Sequence, residues 1–131
     1  MTKVTISEEL AEFRAGFPGC FTVAFADLST GMVLASSTSE KTTQERLDAL
    51  CERATTCLSS AETAAFVVAF GRDKTCQPTL AWQAEVDRVH CFIKLPHPAA
   101  EALCCVTSMD VSLDKLSTDA AYLLTRLASD G

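Results

Sequence analysis

Two segments of the sequence are apolar on both faces of a β-strand, and they constrain the fold more than any other feature. They are CFTVAFA, from Cys20 to Ala26, and ALCCV, from Ala102 to Val106. Successive side chains of a strand point to opposite faces of its sheet, so a strand that is apolar on both faces must be covered on both. The two segments therefore predict central strands of a sheet that lies between helical layers.

Three further segments predict strands of the same sheet. Residues 79–87, TLAWQAEVD, alternate strictly between a more apolar and a less apolar side chain, which is typical of a half-buried edge strand. Residues 88–95 form the next predicted strand. The fifth predicted strand covers residues 102–109 and includes the second central segment. The stretch from Met32 to Ser36 is predicted to pair with the first central strand in a hairpin.

The turn of this hairpin is predicted from the sequence Asp-Leu-Ser-Thr-Gly at residues 27–31. Asp27 and Ser29 can bond nearby backbone N–H groups, and Gly31 can adopt a positive φ without steric cost. Because the loop is longer than two residues, a type I turn that closes on a glycine is favoured. We interpret Asp27 as a turn former and not as a catalytic acid.

Helical periodicity marks the two ends of the chain. Residues 5–17 place apolar side chains at spacings of three and four, with Ser7 as the predicted N-cap. Near the other end, Ser112 is predicted to cap a helix whose leucines and alanines form one apolar stripe. Both helices are amphipathic, so each is expected to cover one area of the sheet.

A second helix is predicted in the middle of the chain. The sequence Thr-Thr-Gln-Glu at residues 42–45 matches a capping box and is followed by apolar residues at helical spacing. This pattern predicts a long helix that ends near Gly71. An alternative interpretation ends the helix at Ser59-Ser60 and makes residues 66–70 a strand.

The predicted order of elements is α-β-β-α-β-β-β-α, over one domain that comprises residues 1–131. Three helices that flank a mostly antiparallel five-stranded sheet form an α/β (α+β) sandwich.

The charge of the chain argues against several classes of partner. A net charge of −6 disfavours binding to nucleic acid and to anionic membranes. No stretch approaches the roughly 18 consecutive apolar residues of a membrane helix. The first ten residues, MTKVTISEEL, carry acids where a secretory signal needs an apolar run. The sequence therefore predicts a cytoplasmic protein with no nucleic-acid partner and no membrane partner.

Seven cysteines occur, at positions 20, 51, 57, 76, 91, 104 and 105. In a reducing compartment they are expected to be mostly free thiols. There is no CxxC motif and no zinc-finger spacing, and the adjacent Cys104 and Cys105 must point to opposite faces of their strand. The cysteines are therefore predicted to be small buried hydrophobic residues, and no metal site is predicted.

No set of catalytic or cofactor-binding residues can be assembled from the sequence. His90 and His97 are predicted to be surface histidines, and His90 cannot pair with its neighbour Cys91 on the opposite face of the strand. Glycine-rich phosphate loops, nucleophile elbows and HExxH motifs are absent from the sequence. The sequence therefore predicts neither enzymatic activity nor a cofactor.

The order of elements, together with the hairpin DLSTGMVLASS, resembles the roadblock/dynein light chain family. The hairpin residues that match the family pattern are Asp27, Gly31, Val33, Leu34, Ala35 and Ser36. This resemblance implies a roadblock/profilin-like fold and a non-enzymatic homodimer, in which an edge strand pairs with its mate and the second helices pack together. It also implies a link to small Ras-like GTPases, as a regulator or a scaffold.

The strand at residues 79–87 is the predicted dimer interface. It contains no proline and no lysine, and its only charges lie near one end, so its edge is poorly protected against pairing. The stretch ATTCLSSAETAA at residues 54–65 has the small side chains that allow a second helix to come close. The predicted interface residues are Ala81, Trp82, Gln83, Ala84 and Glu85 on the strand and Leu58, Ala61 and Ala65 on the helix.

Two alternatives stay open at this point. Residues 71–78 could fold over the edge strand, in which case the chain would be a monomer. The chain could also be a thiol-sensing or small-ligand-sensing domain of PAS or profilin-like shape, in which case one cysteine should have a low pKa and react quickly.

Overall fold

The sheet places the two doubly apolar strands next to each other, away from its edges. The computed structural model describes residues 5–39, 41–68, 79–95 and 100–130, whose elements follow the predicted order. The helices are α1 (Ile6–Ala15), α2 (Gln44–Val68) and α3 (Leu113–Asp130), and the strands are β1 (Cys20–Asp27), β2 (Met32–Thr38), β3 (Thr79–Ala84), β4 (Val89–Lys94) and β5 (Glu101–Thr107). The strand order is β2-β1-β5-β4-β3, and every pairing is antiparallel. The predicted α/β sandwich is confirmed.

Helices cover both faces of the sheet. On one face, Leu10 of α1 and Leu116 of α3 belong to the same buried cluster, and on the other face α2 contributes residues such as Leu58 to a second cluster. Cys105 lies in the first cluster and Cys104 in the second, so the adjacent thiols do point to opposite faces. Each apolar face of β1 and β5 is thereby buried, as their sequences predicted.

The hairpin between β1 and β2 has the predicted turn. Gly31 has a φ of 72°, and its N–H donates to the carbonyl of Asp27 at 2.9 Å. The carboxylate of Asp27 accepts hydrogen bonds from the N–H of Ser29 at 2.9 Å and from its hydroxyl at 2.6 Å. The hydroxyl bond is the main reason that the pKa of Asp27 is lowered. The residue serves the turn between an edge strand and an inner strand.

The start of α1 differs from the prediction. Thr5 is the N-cap, because its hydroxyl accepts a hydrogen bond from the N–H of Glu8 at 3.1 Å. Ser7, the predicted cap, lies inside the helix. Both residues are good caps, and apolar periodicity locates a helix start only to within about two residues.

The start of α2 is displaced by one residue from the predicted capping box, whereas the cap of α3 is as predicted. The hydroxyl of Thr43 accepts from the first turn of α2, with the N–H of Arg46 at 3.2 Å. Ser112 accepts from the N–H of Lys115 at 3.4 Å and caps α3.

The long form of α2 is confirmed through Val68. The alternative, in which a strand begins at residue 66, is wrong for the described residues 66–68. The predicted end near Gly71 and the loop at 71–78 lie outside the described residues. None of the described helices is long and apolar enough to cross a membrane.

Candidate protein interface

The strand β3 forms one edge of the sheet, as its alternating pattern predicted. It pairs with β4 along its length, and no other strand in the described part of the chain pairs with its outer side. The strand is shorter than the predicted 79–87, because the chain turns at Glu85, whose N–H donates to the carbonyl of Arg88 at 2.8 Å. Among the residues that the structure describes, the outer backbone groups of β3 therefore have no strand partner.

The hydrogen-bond register determines which residues of β3 carry these open groups. In an antiparallel pair, opposite residues alternate between pairs that exchange backbone hydrogen bonds and pairs that do not. The bond between Glu85 and Arg88 marks a hydrogen-bonded pair, so Gln83 and Ala81 direct their backbone groups toward β4 in the same phase. The residues whose N–H and C=O groups point to the open edge are therefore Leu80, Trp82 and Ala84.

The side chains of β3 differ between its two faces. Ala81 is 8% exposed and packs in the core beneath α2. Trp82 lies opposite Cys91, which belongs to the other core, so Trp82 is on the face that α1 and α3 cover. Trp82 is 37% exposed and Leu80 is 38% exposed. This edge therefore combines open backbone groups with uncovered apolar surface.

The helical part of the predicted interface is placed less favourably. Leu58 is 1% exposed and packs against the sheet within the chain's own core, so it has no surface left for a partner. The side chains of Ala61 and Ala65 lie outside the described part of the structure. What remains available on α2 is the face that points away from the sheet.

The described portion of that outer face carries charged side chains such as Glu52 together with two adjacent threonines. Thr55 and Thr56 are exposed, and their hydroxyls donate to the carbonyls of Cys51 and Glu52 at 3.0 and 3.2 Å. Short side chains lose little conformational entropy when a partner covers them, and hydroxyls that are already bonded need no new acceptor. The two threonines are therefore the described part of this face that best suits close contact with a second helix.

A charged cluster at the end of β3 was not predicted from the sequence. The Nη1 of Arg53 on α2 lies 2.7 Å from Oε1 of Glu85 and 3.0 Å from Nε2 of His90. The same carboxylate oxygen lies 3.2 Å from Nδ1 of His90. Because an arginine can only donate, Nε2 of His90 is assigned as the acceptor and Nδ1–H as the donor to Glu85.

His90 is buried, and its prediction as a surface histidine is wrong. It is 7% exposed, because it lies on β4 between β3 and β5 and is covered by Arg53 of α2. Burial is the main cause that lowers the pKa of His90, and the guanidinium of Arg53 lowers it further. The hydrogen bond from Arg53 also lowers the pKa of Glu85. His97, the other predicted surface histidine, lies outside the described residues.

Replacement of His90 tests whether its imidazole is neutral in the native protein. Its native pKa is below the ordinary value of 6.5, with Arg53, Glu85 and Arg88 as the charged groups that act on it. As the pH falls through 6.5, the unfolded chain takes up a proton that native His90 resists, so stability is lost. Between about pH 7.5 and 5.5 the unmodified protein should lose more stability than His90→Gln in denaturant titrations. Equal losses would show that His90 is not held neutral.

Burial also determines the chemistry of five cysteines. It raises the pKa of Cys20 and of Cys91 to about 11, and it is the largest cause of the raised pKa values of three others, Cys51, Cys104 and Cys105. Such thiols stay protonated at neutral pH and react slowly. The interpretation of these five as buried hydrophobic residues is confirmed, whereas Cys57 is half-buried and Cys76 lies outside the described residues.

A metal centre finds no support in the part of the chain that the structure describes. No group of three or more histidine, cysteine or acidic side chains within it is placed to hold a metal ion.

Solved structures share this arrangement of three helices and five strands. The chain superposes on a Roadblock/LC7 domain from Streptomyces avermitilis with a TM-score of 0.74 over 94% of each chain, at 10% identity. The chain has the roadblock fold. The gliding protein mglB from Thermus thermophilus gives a TM-score of 0.67 at 14% identity, over 100% of this chain and 96% of that one. An MglB with a tetrameric arrangement gives 0.66 at 16% identity, over 99% and 95%.

The comparison with these proteins shows a shared fold only, because sequence identities of 10 to 16% are too low to indicate a shared function. No protein-family model matches the sequence, and no curated protein matches it. Within the roadblock fold of this chain, the hairpin that suggested the resemblance supplies an edge strand and an inner strand, and the opposite edge belongs to β3.

Proposed function

We propose that the chain is a non-enzymatic, homodimeric protein-interaction module of the cytoplasm that regulates or scaffolds a small Ras-like GTPase. The observation that carries the proposal is the open edge of β3 in a chain with the roadblock fold. The resemblance of the sequence to the roadblock family supplies the kind of partner, because family members form edge-paired homodimers that are linked to such GTPases.

A second copy of the chain is the partner that fits the edge of β3. Antiparallel pairing about a two-fold axis within Thr79–Ala84 satisfies the open backbone groups of both copies at once. In that arrangement Glu85 of one copy lies opposite the beginning of the strand in the other, so the two carboxylates do not face each other. Like charges directly opposite each other would oppose pairing, and this geometry avoids them.

The apolar side chains at the edge support the same partner. Trp82 and Leu80 would be covered by the joined sheet, and tryptophan is among the residues that contribute most to protein interfaces. A six-residue strand contributes only part of the 1,000 Å² or so that a specific interface buries. The helix α2 contacts β3, and its outer face is the surface that would supply the rest.

The opposite edge of the sheet is the competing site for self-association. There β2 exposes Met32 and Leu34, and α1 covers the strand, with Nε of Arg14 donating to the hydroxyl of Ser37 at 3.0 Å. We favour β3 because it carries the only tryptophan of the chain and because it contacts α2, whose outer face offers further surface to a partner.

The thiol-sensing alternative is weakened by the burial of the cysteines. A sensor needs an accessible thiol with a low pKa, and five of the seven cysteines are buried with raised pKa values. The described cysteines are free, which is consistent with a reducing compartment.

Capture experiments in two nucleotide states test the GTPase partner. The immobilised chain is exposed to lysate of the cells that produce it, supplemented with GDP or with a non-hydrolysable GTP analogue and Mg²⁺. We expect mass spectrometry to identify a protein with a P-loop of the GxxxxGK[ST] type that is retained several-fold better in one nucleotide state.

The same capture needs a control for the surface that is proposed. Ala84→Pro, which is designed to prevent β3 pairing, should retain less of the GTPase than the unmodified chain if the dimer is the binding unit. Recovery of a metabolic enzyme, or of no GTPase in either nucleotide state, would contradict the proposed partner.

A further inference from the structure

Two adjoining cavities lie between the N-terminal half of α2 and the sheet, and the proposed function does not use them. Their volumes are about 310 and 420 Å³. They share four lining residues, Arg46, Leu50, Arg88 and His90, so they form one recess, which we call the α2 recess. A recess of this size is within the range that small-molecule sites occupy.

The inner cavity of the α2 recess is cationic. Its described lining includes Lys41, Arg46 and Arg88 and no carboxylate. The three cations come from the segment before α2, from the first turn of α2 and from the turn between β3 and β4, so the fold brings them together from separate parts of the chain. In a chain with a net charge of −6, such a local excess of positive charge favours an anionic ligand.

The outer cavity contains both signs of charge, and its acids have arginine partners. Glu85 pairs with Arg53 at 2.7 Å, and Asp87 pairs with Arg88 at 3.1 Å. Within the described residues, Arg46 forms no ion pair, and it lines both cavities. Of the three cations of the inner cavity, the described acids therefore pair only with Arg88.

The inner cavity also has an apolar wall, which Phe21, Leu47, Leu50 and Val106 form. The guanidinium carbon of Arg88 lies 5.6 Å from the centroid of the Phe21 ring. This cation–π contact, together with the pairing to Asp87, holds the guanidinium at the cavity before a ligand arrives.

We propose that the α2 recess binds a small soluble molecule that carries a phosphate group. The guanidinium of Arg46 and the ammonium of Lys41 offer donors to the oxygens of a phosphate, and arginine matches the geometry of phosphate in a bidentate contact. Arg88, whose Nε and Nη2 already donate to Asp87, contributes the positive end of an ion pair. The apolar wall would accept the uncharged part of the ligand. No described lining residue of the inner cavity, which holds the three cations, belongs to β3, so the proposal does not require the proposed dimer.

Calorimetric titration with inorganic pyrophosphate tests the site on the unmodified protein. We expect saturable binding, and we expect the dissociation constant to rise roughly ten-fold in Arg46→Gln, because one charge-assisted contact is lost. Arg126→Gln is the matched control, since it removes the same charge from a surface ion pair with Glu9 on the other side of the sheet. Its dissociation constant should stay within about two-fold of the unmodified value.

Several results would overturn the proposal. One is the absence of saturable pyrophosphate binding up to about 10 mM, and another is equal weakening by Arg46→Gln and Arg126→Gln.

Phosphatidylcholine vesicles that contain phosphatidic acid form a separate arm of the experiment. Binding to these vesicles without binding to pyrophosphate would assign the cations to a lipid headgroup and contradict a soluble ligand. Circular dichroism of both variants establishes that they are folded, and Arg88→Gln provides a second removal of a lining cation.

Discussion

Replacement of Phe92 by alanine should lower the free energy of unfolding by about 3–5 kcal/mol. Phe92 is 0% exposed and belongs to the core between the sheet and α2, together with Ala54 and Leu58. It lies on β4, which strands flank on both sides, so the surrounding backbone has little freedom to close the cavity. The loss therefore includes both the transfer energy of the ring and the cost of the cavity.

Denaturant titration at a fixed protein concentration measures this loss, since self-association would make stability depend on concentration. Leu34→Ala serves as the control, because Leu34 is an apolar side chain of the same sheet that is 52% exposed. Its effect should stay within about 0.5 kcal/mol. A loss below about 1 kcal/mol for Phe92→Ala would mean that α2 is not packed on the sheet as described.

The central strands were predictable because their signal is local. Both faces of Cys20 to Ala26 and of Ala102 to Val106 are apolar, and only strands that are covered on both faces tolerate that pattern. The alternation at Trp82 likewise predicted an edge strand. These patterns depend on neighbouring residues alone, so they can be recognised without knowledge of the tertiary structure.

The cluster at the end of β3 was not predictable in the same way. Arg53 and Glu85 are 32 residues apart, and only the packing of α2 on the sheet brings them together. The burial of His90 has the same origin, because its own strand pattern does not indicate that α2 covers it. A polar residue on an inner strand is buried by other elements, whose positions the local sequence does not contain.

The strand of the predicted interface is an edge strand, as its pattern indicated, but the sequence did not determine which of its residues face outward. The alternation of side chains does not determine which residues of an edge strand bond to the neighbouring strand and which face outward. That phase depends on the turn at Glu85 and Arg88. The sequence likewise could not show that Leu58 packs in the core of its own chain. Apolar spacing marks the inward face of a helix but does not distinguish a core from an interface.

Ala84→Pro should abolish pairing through β3 while leaving the fold intact. The N–H of Ala84 points to the open edge, so proline there removes a donor for a second copy and no donor to β4. Its ring would also collide with a strand that approaches from that side. Ala84 is exposed at the end of the strand, where the fixed φ of proline is tolerated.

Ser36→Pro is the matched control at the opposite edge. The N–H of Ser39 donates to the carbonyl of Phe21 at 2.8 Å, which marks a hydrogen-bonded pair of β2 with β1. Ser36 lies opposite Ala24 in the other phase, so its N–H also points to an open edge. The two variants thus make the same chemical change at the two edges of one sheet.

The mass of the native protein in solution tests the central claim most directly. Light scattering at about 100 μM should give twice the chain mass of 14.0 kDa for the unmodified protein and for Ser36→Pro, and 14.0 kDa for Ala84→Pro. An unmodified protein at 14.0 kDa would contradict the homodimer and support a covered edge. A dimer that survives Ala84→Pro but not Ser36→Pro would place the interface at β2.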